Sequence, residues 1–529
     1  MLKKLTTLSL AVGLLLGSIT CACAIDFKAR GEWIMSYDYG MNGGFTGGNG
    51  QTGFNSNGAS PFKGEDEFNV RQRVHLQLEA VASESLSGTV FFEIGDTVWG
   101  KDSTGGALGA DKTIIELKQA FIDWVVPSTT LKLRMGIQAL RMPSFTTGSN
   151  ILGDDGAALT ASYKFNDNVA LTAMWARPFN DNYSGYQNGY HGHVNGYRSN
   201  YMDNMDMAAL IAPLTFDGVK ITPWAMYAAV GPNTFGNGNF DGLKAGFTAQ
   251  GTTWMGISAG MLPVGGALHK DGTPVNKRLY EYGNALWLGL TGDITAFDPF
   301  RIAWDANYGS VSYGDGHYNR HGWLVSALVE YKLDWGIPGI VAWYGSGDDG
   351  DPSNGSERMP HLSVINTHND FSHFAFNGSP YLARERWLGN QMSGTWGIGA
   401  RLKNVSFAEK LKHSLRINYI GGTNSPTMAK RYMTPFGDTN YRNAVVGPNA
   451  QGPGMGPMYL TTGDSVLELG LTNEYQMYEN FKIFMEAAYI VPWLDQSRSV
   501  WGTSVMNGIG GSDDVRDPWS VNLAFIYTF

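Results

Sequence analysis

Cysteine is almost absent from this chain of 529 residues, and its two cysteines, Cys21 and Cys23, both lie near the N-terminus. They fall in a stretch typical of a cleaved signal peptide, residues 1–24, in which a positively charged start and an apolar run precede Ala22-Cys23-Ala24. Lipidation of Cys21 or Cys23 is the alternative interpretation. Cleavage after Ala24 would remove both thiols, which excludes a disulfide framework from the rest of the chain.

Charge is also scarce, and positive charge most of all. Only 16% of the residues are charged, and 38 Lys and Arg face 47 Asp and Glu, which gives a net charge of −9. This acidic balance argues against nucleic acid as a partner, because nucleic-acid binding requires a basic face. After residue 24 no apolar run approaches the roughly 20 residues of a spanning helix, which excludes a helical membrane protein. No linker or break in composition divides residues 25–529, so we expect a single domain.

Period-two alternation takes the place of long apolar runs. The closing segment alternates large apolar side chains with residues that are mostly smaller or polar; the apolar set is Trp519, Val521, Leu523, Phe525, Tyr527 and Phe529. The first segment after residue 24 repeats this pattern, which predicts strands with one apolar face. Repeated along the chain in segments of about ten residues, the pattern fits a transmembrane barrel. Lipid offers no hydrogen bonds, so such a sheet must close on itself.

Short and long connections alternate between these segments. Asn166-Asp167-Asn168 is a tight turn, whereas 347–394 and 422–464 are long and rich in Gly, Asn, Asp and Ser. We therefore predict an all-β fold, a transmembrane antiparallel β-barrel of about 18 strands with short periplasmic turns and long extracellular loops. The predicted strands are 26–39, 67–82, 88–96, 114–126, 130–140, 157–165, 169–177, 203–213, 219–230, 284–293, 299–309, 322–333, 338–346, 395–403, 411–421, 465–477, 481–491 and 517–529. Residues 231–283 are interpreted as one loop; a hidden hairpin there, or one strand pair fewer, would give 20 or 16 strands.

The closing Phe529, after Phe525 and Tyr527, resembles the C-terminal assembly signal of bacterial outer-membrane barrels. Three segments also make the chain similar to the outer-membrane homotrimeric porins of sulfate-reducing, Desulfovibrio-type bacteria: IELKQAFIDWVVPSTTLKLRMGIQALRMPS, VHLQLEAVASESLSGTVFFEIGD and WYGSGDDGDPSNGSERMP. The resemblance extends over the whole chain after the signal. It implies a Gram-negative outer membrane with its lipid and lipopolysaccharide, a homotrimer with one pore per subunit, and passive diffusion of small polar solutes and ions.

Basic side chains gather on the predicted inner face. Where the apolar positions face lipid, their neighbours face the lumen, because Arg or Lys on the lipid side would cost about 2–4 kcal/mol at the membrane midplane. The resulting candidates for lining the pore are Arg30, Arg71, Arg73, His75, Lys132, Arg134 and Arg416. These residues could form a basic selectivity filter. They are explained equally well as the solvated side chains that line any water-filled lumen. Gln72 is a polar exception on the outward face, either bonded at a subunit contact or tolerated near headgroups.

Acidic residues stand out in two predicted loops. Asp154 and Asp155, in the third long loop (141–156), are expected to oppose the basic wall and to form a constriction, although an ordinary Asp-Gly turn explains them as well. Asp348, Asp349 and Asp351 offer closely spaced oxygens that would suit Ca²⁺ in an extracellular loop. They lack the twelve-residue register of a helix-loop-helix site, and a solvated turn is the plainer explanation. No other cofactor is expected.

These features favour a water-filled pore for passive diffusion, since a barrel of roughly 16–18 strands is too wide for side chains to fill. A substrate-selective channel for sugars or anions is the nearest alternative. An adhesion protein acting through the extracellular loops is another. A barrel enzyme would need a catalytic constellation that we do not recognise in the sequence, so we predict no enzymatic activity.

Overall fold

The computed structural model describes residues 25–41, 66–109, 115–179, 193–194, 197–198, 205–231, 260–263, 267, 269–270, 282–362, 369–376, 378–382, 388, 391–428, 459–494 and 517–529. The predicted signal peptide, 1–24, lies outside these ranges, as does most of 231–283. Within the described ranges no helix is long and apolar enough to cross a membrane.

Eighteen strands form one antiparallel sheet. They are β1 Asp26–Met41, β2 Asp66–Ser83, β3 Leu86–Val98, β4 Ile115–Val125, β5 Lys132–Arg141, β6 Gly153–Lys164, β7 Ala170–Phe179, β8 Met205–Ile211 continued by Leu214–Phe216, β9 Val219–Val230, β10 Gly283–Ile294, β11 Phe300–Ser312, β12 Arg320–Tyr331, β13 Ile337–Gly345, β14 Thr395–Ala408, β15 Leu411–Gly422, β16 Ser465–Tyr478, β17 Phe481–Trp493 and β18 Trp519–Thr528. A two-stranded ladder of His193–Val194 with Tyr197–Arg198 forms a separate sheet.

The sheet closes on itself. Each barrel strand pairs with its neighbours in sequence, and β1 also pairs with β18, in a register that runs from Glu32 opposite Thr528 to Met41 opposite Trp519. The terminal residue extends this seam, because the amides of Gly31 and Phe529 each donate to the carbonyl of the other, at 2.9 and 3.1 Å. The predicted barrel and its count of 18 strands are confirmed.

The two faces of the barrel differ as the alternation predicts. Along β12, Arg320, Leu324 and Leu328 are buried on the inner face, whereas Trp323 and Val325 are exposed on the outer face. Gln72, the polar exception on the outer face, accepts a hydrogen bond from Trp99 Nε1 at 3.0 Å. A polar group facing outward therefore has a partner within its own chain.

Part of the interior is packed with apolar side chains. Met142, Ile151 and Leu152, between β5 and β6, belong to one buried cluster with inward residues of the strands, including Met207 and Trp287. Since these three residues are not on strands, a loop must enter the barrel.

Candidate pore

The loop between β5 and β6, residues 142–152, crosses the barrel and is held by Asp305 of β11. The Asp305 carboxylate is buried and accepts hydrogen bonds from Ser144 Oγ at 2.6 Å and from the amides of Phe145 and Thr146 at 3.0 and 3.1 Å. The Thr146 and Thr291 hydroxyls also donate to it. We call residues 142–152 the crossing loop.

A second inward loop lies between β13 and β14, and we call its described residues, 369–376 and 378–382, the inner loop. Glu468 of β16 accepts the amides of Phe374 and Ala375 at 2.9 and 3.0 Å. Glu486 of β17 binds His373 Nδ1 at 2.6 Å and accepts from Ser379 Oγ at 2.7 Å. The sequence analysis assigned the inner loop to an ordinary external loop. Its Phe371, Phe374 and Phe376, all buried, are the signal that was missed, because a solvated loop seldom carries three aromatics so close together.

The crossing loop also contacts the chain on either side of the inner loop. The Leu362 amide donates to the Ile151 carbonyl at 2.9 Å, and the Met392 amide donates to Asn150 Oδ1 at 2.9 Å. Much of the inner wall from β7 to β17 is buried in consequence. The inner wall of β1 to β5 is more open near the short turns, where Arg30 is exposed and the Lys132 side chain retains 46% of its accessible surface.

Most of the predicted basic residues on this open wall form ion pairs. Arg134 makes a two-pronged pair with Asp123, at 2.7 and 2.8 Å, and Lys132 Nζ lies 3.0 Å from the same carboxylate. Arg73 makes a similar pair with Asp96, with both contacts at 2.6 Å. Such two-pronged pairs hold a guanidinium in one orientation.

His75 joins β1, β2 and β3. Its Nδ1 lies 2.8 Å from Glu32 Oε1, and its Nε2 lies 2.8 Å from Glu93 Oε2. Lys118 Nζ also lies near Glu93, 3.1 Å from its Oε2. The sequence analysis missed Lys118 because it sits at an irregularity of the β3–β4 pairing, where strict alternation no longer gives its direction.

Arg30 and Arg71 differ from these residues, because neither forms an ion pair with any described residue. Arg30 is exposed, and Arg71 is half-buried with its Nε buried and without a hydrogen-bond partner. Arg416 faces inward as predicted, but its side chain is only 6% exposed, because the inner loop covers it. Its Nε donates to the Asp370 carbonyl at 2.8 Å.

Asp154 and Asp155 do not lie on the crossing loop, since they belong to β6. Asp155 Oδ1 accepts from Gln119 Nε2 at 2.7 Å, and its Oδ2 lies 3.6 Å from Lys118 Nζ. These partners come from β4, two strands away, and not from an arginine across the lumen. The prediction that Asp154 and Asp155 lie in a loop is therefore wrong, and their role in the pore stays a prediction.

Asp348, Asp349 and Asp351 are engaged in hydrogen bonds of their own loop and its neighbours. Asp348 accepts from Ser356 Oγ at 2.5 Å and from the Tyr459 hydroxyl at 2.7 Å. The carboxylates of Asp349 and Asp351 accept the Asp351 and Ser353 amides, at 2.6 and 3.0 Å. In the part of the chain that the structure describes, no group of three or more His, Cys, Asp or Glu is arranged to hold a metal ion.

Two titratable groups of the inner loop have shifted pKa values. Partial desolvation alone would raise the pKa of the Asp370 carboxyl, but His373, 4.0 Å away, and the charges of Arg401 and Arg416 outweigh it and hold the pKa well below its usual range. Burial would lower the pKa of His373; the charge of Glu486, the hydrogen bond to that carboxylate and the nearby Asp370 carboxylate raise it instead. Both shifts favour the charged forms of these groups.

The described residues define a wide, closed β-barrel whose interior is filled on one side and open on the other. No family model and no curated protein matches the chain. Among solved structures, it is similar to OpdQ of Pseudomonas aeruginosa, with 13% identity, a TM-score of 0.47, and 95% of this chain and 98% of that chain covered. It is also similar to a BenF-like porin from Pseudomonas fluorescens Pf-5, with 10% identity, a TM-score of 0.48 and the same coverage. OprD of Pseudomonas aeruginosa is 9% identical, with a TM-score of 0.47 and coverage of 97% and 98%. At this distance the assignment of the fold rests on the strand pairing of the chain itself.

Proposed function

We propose that this chain is an outer-membrane porin, a water-filled channel through which small hydrophilic solutes and ions diffuse passively. The observation that carries the proposal is the closed barrel of 18 strands, which is wide enough to leave an aqueous lumen. Its inner wall keeps charged groups such as Lys132 open to water, and its outer face exposes apolar groups such as Ile340 and Ile417. An apolar outer face fits the lipid and lipopolysaccharide of a Gram-negative outer membrane.

The finer parts of the proposal rest on the sequence. The family resemblance supports a homotrimer of Desulfovibrio-type porins with one pore per subunit. The lack of a recognised catalytic constellation supports a channel and not an enzyme, and the pattern of residues 1–24 supports their removal on export. Ca²⁺ at Asp348, Asp349 and Asp351 stays a sequence-based prediction, and we propose no other cofactor.

A substrate-selective channel for anions is the second candidate. The observation that favours it is the pair Arg30 and Arg71, whose charges no described carboxylate neutralises. A sugar-selective channel would instead need a continuous track of aromatic side chains along the open wall.

Single-channel recording in a planar lipid bilayer tests the proposed function. The folded protein, purified without residues 1–24, is expected to give stable conductance steps in KCl, and closure in threes would support the homotrimer. Detergent buffer carried through the same purification without the protein is the control. Correctly folded protein that gives no steps would contradict the proposal and shift the weight to adhesion.

A further inference from the structure

The inner loop places one acid directly over two arginines of the wall. Arg401 of β14 forms an ion pair with Asp370, and Arg416 Nη2 of β15 lies 3.6 Å from the other oxygen of that carboxylate. Arg416 Nε also donates to the Asp370 carbonyl, and the Arg401 guanidinium lies 4.1 Å from the centre of the Phe371 ring. Both arginines therefore hold the backbone as well as the side chain of this loop.

The acid is more exposed than the two arginines, of which Arg416 was predicted to line the pore. The Arg401 and Arg416 side chains are 2% and 6% exposed, whereas that of Asp370 is 56% exposed. The other carboxylates of the cluster are hidden too, with Glu330 and Glu486 at 5% and 7%. Among these five groups, the charge that is exposed to water in the lumen is therefore the negative charge of Asp370.

We infer that Asp370 is a selectivity-determining residue of the channel, and that it converts a wall built from arginines into a surface that favours cations. This inference rests on the proposed porin function and deepens it. The buried arginines act as positioning residues that fix the acid, and they do not act as binding groups for anions. A passing ion responds most strongly to the nearest exposed charge, because charges further away are screened by water and salt.

Neutralising the acid is the direct test, with the reversal potential across a KCl gradient as the readout. Asp370→Asn is expected to lower the cation-over-anion permeability ratio by about twofold, since one unit charge roughly 8 Å away in roughly 0.1 M salt enriches one ion and depletes the other by about 1.5-fold each. Asp370→Glu should keep the ratio of the wild type. Asp167→Asn is the matched control, because it removes the same charge from an exposed turn at the barrel rim.

Asp370→Asn also leaves two buried arginines without their partner, so the inner loop could move, and a second variant separates charge from structure. Asp370→Cys is modified in the open channel with a methanethiosulfonate reagent that carries a sulfonate. The only other cysteines of the chain are Cys21 and Cys23, in the predicted signal peptide. Restoring a negative charge at position 370 is expected to return the reversal potential toward its wild-type value, and a neutral reagent is expected to leave it unchanged.

The possible failures can be told apart. Wild-type channels that conduct, with a reversal potential that neither Asp370→Asn nor the sulfonate reagent changes, would overturn the inference and leave the porin function standing. A larger conductance at an unchanged permeability ratio would show that Asp370 is only a clamp for the inner loop, which also overturns it. Wild-type protein without conductance would overturn the proposed function, and the inference with it.

Discussion

At the scale of single residues, Asp305 holds the loop that crosses the lumen. Its carboxylate accepts from the crossing loop at three residues in succession, Ser144, Phe145 and Thr146. Hydrogen bonds to a charged group contribute about 1.5–3 kcal/mol each, so their loss weakens an attachment that the bonds from Arg301 Nη2 to the Phe145 carbonyl and from Leu362 to Ile151 maintain only in part. Asp305→Ala is expected to release the crossing loop and to raise single-channel conductance. Asn307→Ala, on the same inner face of β11, is the control. Equal conductance for the two variants would show that the crossing loop is held elsewhere.

Glu357 is the residue for which a pH dependence is expected. Burial and the neighbouring charges of Asp348 and Asp349 outweigh a hydrogen bond from the Asp349 amide and raise the pKa of Glu357 to about 7, from an ordinary value of 4.5. A raised pKa means that the folded loop binds the proton more tightly than the open loop does. Its contribution to stability is thus fully present below about pH 4.5 and is lost as the pH rises through about 7. The protection of residues 346–362 against hydrogen exchange, after correction for the intrinsic acceleration of exchange with pH, should fall several-fold over this range. Glu357→Gln should remove the dependence, and an unchanged pH profile in that variant would contradict the assignment.

At the scale of the strands, the number of strands and the orientation of their side chains could be predicted from the sequence, because lipid and lumen impose opposite requirements on alternate residues. The boundaries were less accurate where pairing extends a strand past its apolar pattern. The sixth strand was predicted to begin at 157, but β6 begins at Gly153, because Gly153 to Gly156 continue the ladder with β5. Asp154 and Asp155 were placed in a loop for this reason. The inner loop was not predictable from alternation, since its position depends on buried partners such as Glu468 and Glu486, which lie about a hundred residues away.

The seam between β1 and β18 gives a prediction at the same scale. A methyl group at Gly31 would lie 2.2 Å from the His75 carbonyl oxygen and 2.8 Å from the Phe529 ring, whereas one at Gly88 would meet no atom closer than 4.0 Å. Gly31→Ala is expected to destabilise the barrel by about 1–3 kcal/mol, because overpacking forces the closing strands apart. Gly88→Ala should change the free energy of unfolding little. Urea unfolding followed by tryptophan fluorescence measures both, and equal midpoints for the two variants would contradict the role of this seam.

At the scale of the whole molecule, ion preference is the balance between the exposed charges on the two sides of the lumen. Asp370 projects from the filled side, whereas Arg30 and Arg71 stand on the open wall without an ion pair among the described residues. The Coulomb energies of separate charges acting on one passing ion add, so substitutions on the two sides should act independently. Arg30→Gln with Arg71→Gln is expected to shift the reversal potential toward cations. Adding Asp370→Asn should bring it back toward the wild-type value.

The additivity of the shifts in reversal potential can be tested directly. Lys164→Gln, in which a cation at the barrel rim is removed, is the matched control and should leave the reversal potential close to that of the wild type. A triple variant whose shift equals the sum of the separate shifts means that solutes meet both sides in one aqueous path. A triple variant that behaves like the Asp370→Asn variant alone means that Arg30 and Arg71 lie outside the path of the ions. In that case the open wall near the short turns is a vestibule, and the selectivity of the channel is set at the inner loop.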